Sequence, residues 1–238
     1  VDTIHHLSFF FLLQAMPQSS STASTRTFTA TLAVLAGGLA AFHTVKKLRN
    51  KPSLKLTLPA WATSTNYYDR QYNTDEERMG LAIELASRNV AEKTGGPFGT
   101  AIFERDVKSG KTKLFSIGMN QVVSLNNSTL HGEMVAIQFA QKKLGKYTMG
   151  EVEGKEYDLY TSCEPCCMCL GGTLWSGVSS LICSASKQNA QDIGFDEGPV
   201  NDDSYKHLER AGIRVVKGVL PIEGAEVLRK YGETGVIY

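Results

Sequence analysis

The feature that most restricts this chain is a pair of short motifs, His131-Gly132-Glu133 and Pro165-Cys166-Cys167-Met168-Cys169. Together they offer one imidazole, two thiolates at C-x-x-C spacing, and a carboxylate two residues from the imidazole. Three such ligands leave the fourth position of a tetrahedral zinc open, the layout of a catalytic site; a structural zinc takes a fourth Cys or His. The remaining histidines, His5, His6, His43 and His207, do not lie at ligand spacing from the cysteines. The predicted zinc ligands are therefore His131, Cys166 and Cys169. Cys163 forms a second C-x-x-C with Cys166, but it precedes Pro165 and reads as a packed thiol; Cys183 reads as core.

All five cysteines fall between positions 163 and 183. A disulfide framework spreads its cysteines along a small secreted chain, so this clustering points to metal binding in a reducing, intracellular compartment. Charge is uneven. No Asp or Glu lies between Asp2 and Asp69, whereas from Asp69 onward 23 acidic residues outnumber 19 basic ones. A surface built to hold a phosphate backbone is basic, so a nucleic acid is disfavoured as partner and a small neutral molecule favoured.

Residues 1–60 read as an extension and 61–238 as the catalytic domain. Within the extension, residues 28–45 are mostly apolar and are followed by Lys46-Lys47-Leu48-Arg49-Asn50-Lys51. That run is at the short end of what spans a bilayer. A membrane anchor with its basic flank in the cytosol, a transit peptide (mitochondrial, for example), and a disordered extension all fit. Residues 52–74 are expected to form an extended arm packed on the domain. A helix opens at Asp75-Glu76-Glu77, acids that suit its dipole, and continues on the apolar positions Met79, Ala82, Ile83, Leu85, Ala86 and Val90. Gly95-Gly96-Pro97-Phe98-Gly99 ends it. Strands are predicted at 100–104, 113–118, 157–161, 178–185 and 213–218, and further helices at 131–144, from Pro165 onward, at 203–211 and at 222–231. This alternation predicts an α/β protein, a three-layer α/β/α sandwich with a mixed sheet. His131 and Glu133 stand about 200° apart around a helix axis, so they converge only on a target beyond its N-terminus.

These motifs resemble the cytidine-deaminase-like superfamily, and within it the bacterial-type guanine deaminases. The likeness covers roughly residues 75–238. It rests on Gly95-Gly96-Pro97-Phe98-Gly99, Asn120, His131-x-Glu133, Thr161-Ser162-Cys163-Glu164-Pro165-Cys166, Met168-Cys169, Ile193-Gly194-Phe195-Asp196-Glu197-Gly198 and the closing Gly235-Val236-Ile237-Tyr238. It implies a five-stranded mixed sheet between helices, a zinc cofactor, a homodimer with exchanged C-terminal segments, and hydrolytic deamination of a free nucleobase, guanine to xanthine plus ammonia. It further implies that Glu133 shuttles protons, that Asn120 binds the purine ring, and that Glu197 assists at the amine, with Asp196 as rival. Phe98 either lines the base pocket or belongs to the core. Two alternatives stand beside this reading. One is a tRNA adenosine or cytosine deaminase of the same superfamily; the other is a zinc-stabilised binding module without activity. Gly132 departs from the family pattern, which has Ala after the ligand histidine.

Overall fold

The computed structural model describes residues 55–238; the apolar segment 28–45 lies outside them. Among the described residues no helix is long and apolar enough to cross a membrane. The arm is not simply extended. It carries a short helix, α1 (Ala60–Ser64), and a 3₁₀ turn at Tyr67–Asp69. The hydroxyls of Thr63, Ser64 and Thr65 bond back to the carbonyls of Ala60 and Trp61, which closes the turn locally. Tyr67 is fully buried against the domain.

From Asp75 the elements are α2 (Asp75–Ala91), β1 (Gly99–Asp106), β2 (Thr112–Met119), α3 (Gly132–Leu144), β3 (Lys155–Cys163), α4 (Cys167–Ser176), β4 (Ser180–Ala185), α5 (Lys187–Asp192), α6 (Asp202–Arg210), β5 (Arg214–Val216) and α7 (Pro221–Thr234). The five strands lie in the order β2-β1-β3-β4-β5. β1 pairs antiparallel with β2 and β3, while β3-β4 and β4-β5 are parallel. This is the expected five-stranded mixed sheet. The helix α5 was not anticipated; a capping box between Ser186 and Asn189 starts it. β5 holds only three residues of the expected six.

Strand alternation divides the core between the two faces. Ile102, Leu159, Leu181 and Cys183 pack with Ala136, Ile137, Leu170 and Leu208 from α3, α4 and α6. Ala101, Phe103, Tyr160 and Ile182 pack with Met79, Leu81, Leu85 and the arm residue Tyr67. Two glycines set how closely the helices approach. A Cβ on Gly118 would lie 2.2 Å from the Gly132 carbonyl oxygen and 2.4 Å from the Ala136 nitrogen. A Cβ on Gly99 would lie 2.3 Å from the carbonyl oxygen of Ala82. Both helices thus rest directly on the strand ends that lead to the predicted site.

Backbone contact of this kind predicts opposite outcomes at two glycines. Gly118→Ala should destabilise the protein by about 1–3 kcal/mol, because the clashing atoms are backbone. Gly80 lies inside α2 with open space around it, so Gly80→Ala should stabilise by about 0.5–1 kcal/mol. Thermal melts of the two variants check this; equal shifts would refute the packing argument.

Candidate active site

Two helix N-termini meet at one end of the sheet. His131 is the N-cap of α3, and Cys166 is the N-cap of α4. Pro165 lies just before that cap rather than inside the first turn, where it was expected. Neither position makes the side-chain cap hydrogen bond of a Ser, Thr, Asp or Asn cap. Such a cap is worth about 0.5–2 kcal/mol, so these two positions forgo that stability and set their nitrogen and sulfur beside each other. Glu133 is the second residue of α3, and Cys169 lies about one turn into α4. The ligand atoms of His131, Cys166 and Cys169 all lie within 4.8 Å of one another. Cys166 Sγ stands 3.5 Å from His131 Nδ1, and Cys169 Sγ donates to Glu133 Oε2 at 3.3 Å.

The electrostatics suit a cation. The Cys166 thiol is held down to about 4, first by the hydrogen bond from Cys169 and then by the one to His131, against the opposing effect of burial. Burial works to lower His131, but the Cys166 sulfur and the Glu133 and Glu197 carboxylates outweigh it and hold the imidazole above its ordinary value. Cys169 retains its proton because it is already bonded to Cys166 and buried. One imidazole and two closely spaced sulfurs at two positive helix ends are a donor set that fits zinc. Cys163 is not in this group; it is buried, 3.5 Å from the Ser186 carbonyl oxygen. Cys167 is exposed and Cys183 is buried in the core.

The ligand group faces a cavity of about 200 Å³ lined by Phe98, Asn120, Glu133, Phe195, Glu197 and Tyr238, with Val122, Ser128, Glu164 and Asp196 at its margins. Glu133 and Glu197 are each 6 % exposed. Burial, then the charge on Cys166, pushes both carboxyl groups up, Glu197 to about 8. Asp196 differs. It is exposed, and its Oδ1 accepts from the Gly198 amide, so it shapes the loop that carries Glu197. That loop is fastened to α4 by the Cys167 amide, which donates to the Glu197 carbonyl at 3.1 Å. Phe98 is half-buried and edge-on to Phe195 at 4.9 Å, so it belongs to the cavity wall.

Asn120 is 1 % exposed, and its main-chain amide donates to Phe98. Its Oδ1 accepts from the Tyr238 hydroxyl at 2.6 Å and from the Val122 amide at 3.2 Å. The glycine pair before Phe98 is required by this wall. A Cβ on Gly95 would lie 1.8 Å from the Asn120 carbonyl oxygen, and one on Gly96 would lie 2.2 Å from the Tyr238 hydroxyl. At Gly132 a Cβ would come 3.0 Å from Thr100 Oγ1, so Thr100 borders the space that the family's alanine would use. Phe195, Tyr238 and Glu164 were not singled out as site residues from sequence. Their only signal was membership in the motifs that carry the family likeness. Glu164 accepts from Tyr205 at 2.7 Å and from Lys217 at 3.1 Å, which anchors the loop just before the cysteines.

Comparison with known proteins agrees with this geometry. The cytidine and deoxycytidylate deaminase zinc-binding region matches residues 72–185. A guanine deaminase of Bacillus subtilis is 36 % identical over 135 residues, covering 57 % of this chain and 77 % of that protein. A tRNA-specific adenosine deaminase of Buchnera aphidicola is 26 % identical over 160 residues, covering 67 % of this chain and 94 % of that protein. The solved structure of a guanine deaminase from Nitrosomonas europaea superposes with a TM-score of 0.70 at 36 % identity, over 76 % of this chain and 97 % of that one. With its helix-capped His/Cys/Cys group at the end of a five-stranded mixed sheet, this chain belongs to the cytidine-deaminase-like zinc deaminases, a superfamily of hydrolytic aminohydrolases, and within it to the family of the bacterial-type guanine deaminases.

Proposed function

We propose that this protein deaminates guanine: guanine and water give xanthine and ammonia. The observation that carries this reading is one small cavity holding the His/Cys/Cys group, two buried carboxyl groups and a buried amide. Guanine relatives at 36 % identity support the substrate. His131, Cys166 and Cys169 would hold zinc, which when bound supplies the Lewis acidity that makes water a nucleophile at neutral pH. Glu133 takes the proton from that water at Oε2 and returns it to the purine ring. Burial favours the protonated form of Glu197 near neutral pH, so it can hand a proton to the departing amine, which otherwise leaves poorly. It regains one from the hydroxyl group that becomes the new carbonyl, so that both protons of the water are used. Asn120 grips the base edge, since an amide both donates and accepts. Phe98 and Phe195 supply apolar walls that exclude bulk water.

The rival within the superfamily is deamination of tRNA adenosine, the activity named for the Buchnera relative. The excess of acidic residues from Asp69 onward speaks for the free base. The reading also includes a homodimer and an intracellular setting. Residues 1–60 would serve as a targeting or tethering extension to the deaminase domain at 61–238, with 28–45 as its apolar segment.

Three outcomes follow. In a panel of guanine, adenine, cytosine, ammeline and a tRNA anticodon stem, ammonia should be released from guanine; turnover of the tRNA with guanine untouched would reverse the assignment. Glu133→Gln should retain one zinc per chain by elemental analysis while kcat falls about 10²–10⁴-fold, the range for loss of a general acid–base; unchanged activity would reject the role given to Glu133. The protonated form of Glu197 persists up to about 8 and is lost above it. The rate should therefore decline as pH rises through that value, and Glu197→Gln should lower the rate and remove that limb of the profile. A limb that survives the substitution would assign it to another group.

A further inference from the structure

The N-terminal arm reaches the cavity through a chain of directed hydrogen bonds. Trp61 Nε1 donates to Thr94 Oγ1 at 3.0 Å, and Thr94 Oγ1 donates to Asn89 Oδ1 at 2.7 Å. Asn89 Nδ2 then donates to the carbonyl oxygens of Gly96 and Asn120, both at 2.8 Å. Asn89 is fully buried on α2. The direction of the chain is forced. An indole N–H only donates, so the Thr94 hydroxyl must accept from it and send its own proton to Asn89. That fixes the oxygen end of the Asn89 amide, and the NH₂ end is left facing two carbonyls. Reversing the amide would set its oxygen against both of them.

The same arm is held at both ends of the relay. Arg88 lies over the Trp61 ring at 4.6 Å and donates to Thr65 Oγ1 at 2.9 Å and the Tyr67 hydroxyl at 2.8 Å. Gln121, the residue after Asn120, donates through Nε2 to the Thr57 carbonyl at 3.0 Å. Two routes therefore join the arm to the Asn120 segment. At Asn120 they meet a backbone already packed against Gly95, where no side chain would fit. A small displacement there moves the amide that faces the base.

We propose that Trp61, Thr94 and Asn89 are positioning residues for nucleobase binding, and that the docked arm is a working part of the recognition site. This rests on the reading of Asn120 as the residue that grips the base. Asn120 holds the ring alike before and during reaction, so a fault in the relay weakens substrate binding and leaves the chemical step alone.

The test uses the full zinc-loaded chain and measures KM, kcat and Tm with guanine. Thr94→Val removes the central hydroxyl at nearly constant volume, and Trp61→Phe removes the donor that orients it. Each should raise KM about 3–10-fold with kcat retained, the equilibrium effect of one hydrogen bond. Thr94→Ser keeps the hydroxyl and should restore the parental KM. Tyr72→Phe removes the bond from the Tyr72 hydroxyl to the Tyr67 carbonyl; it should lower Tm and leave KM unchanged, because that bond lies within the arm and the contacts of Trp61, Thr94 and Asn89 stay in place. Asn120→Ala separates the two layers of the argument. A raised KM in Asn120→Ala with no change in Thr94→Val or Trp61→Phe would overturn the relay and spare the base-binding role. An unchanged KM in Asn120→Ala would overturn both. A KM raised in Tyr72→Phe as much as in Thr94→Val, or a Thr94→Ser that behaves like Thr94→Val, would also overturn the relay.

Discussion

The site depends on two helix N-termini aimed at the same point. His131 and Cys166 cap α3 and α4, so both ligand side chains stand at the positive dipole end of a helix. That field favours a thiolate, and it allows two sulfurs to sit close together beside buried carboxyl groups. The geometry requires α3 to lie almost on the end of β2, and Gly118 permits that approach, as Gly99 does for α2 on β1. α2, α5 and α6 begin with complete capping boxes. At α3 and α4 the capping positions are given over to two members of the His/Cys/Cys group.

Two carboxyl groups of one chemical type are delivered to the cavity by different means. Glu133 is set by its helix, one residue past Gly132, and touches Cys169. Glu197 arrives on a loop tied to α4 by a single main-chain hydrogen bond, with Asp196 bracing the turn from outside. Burial raises both, and both line the same cavity. These settings suit the separate proton-transfer roles proposed for the two groups.

Much of the fold was legible in sequence, and the exceptions share a cause. The capped, acid-led start of α2, the alternating strands and the glycine break at 95–99 are local patterns, and the structure has them. The arm looked extended because Pro59 and the scattered aromatics hide its hydroxyl-closed turn at Ala60–Ser64. α5 is only six residues long and carries no apolar period; its capping box is its sole local mark. β5 is short because its pairing with β4 ends at Val216, and Gly218, two residues on, takes a positive φ that turns the chain away.

The sequence by itself determined the His/Cys/Cys group and the first acid beside it. The spacings His131-x-Glu133 and Cys166-x-x-Cys169 are contacts between neighbours, and chain connectivity guarantees that such residues stay together. Only the tertiary structure decided what surrounds them. Tyr238 reaches Asn120 across 118 positions, and Trp61 reaches Thr94 across 33. No local periodicity encodes such meetings. They exist because the folded sheet and its helices bring distant segments together around the Asn120 segment, where buried donors and acceptors must find partners or go unpaid.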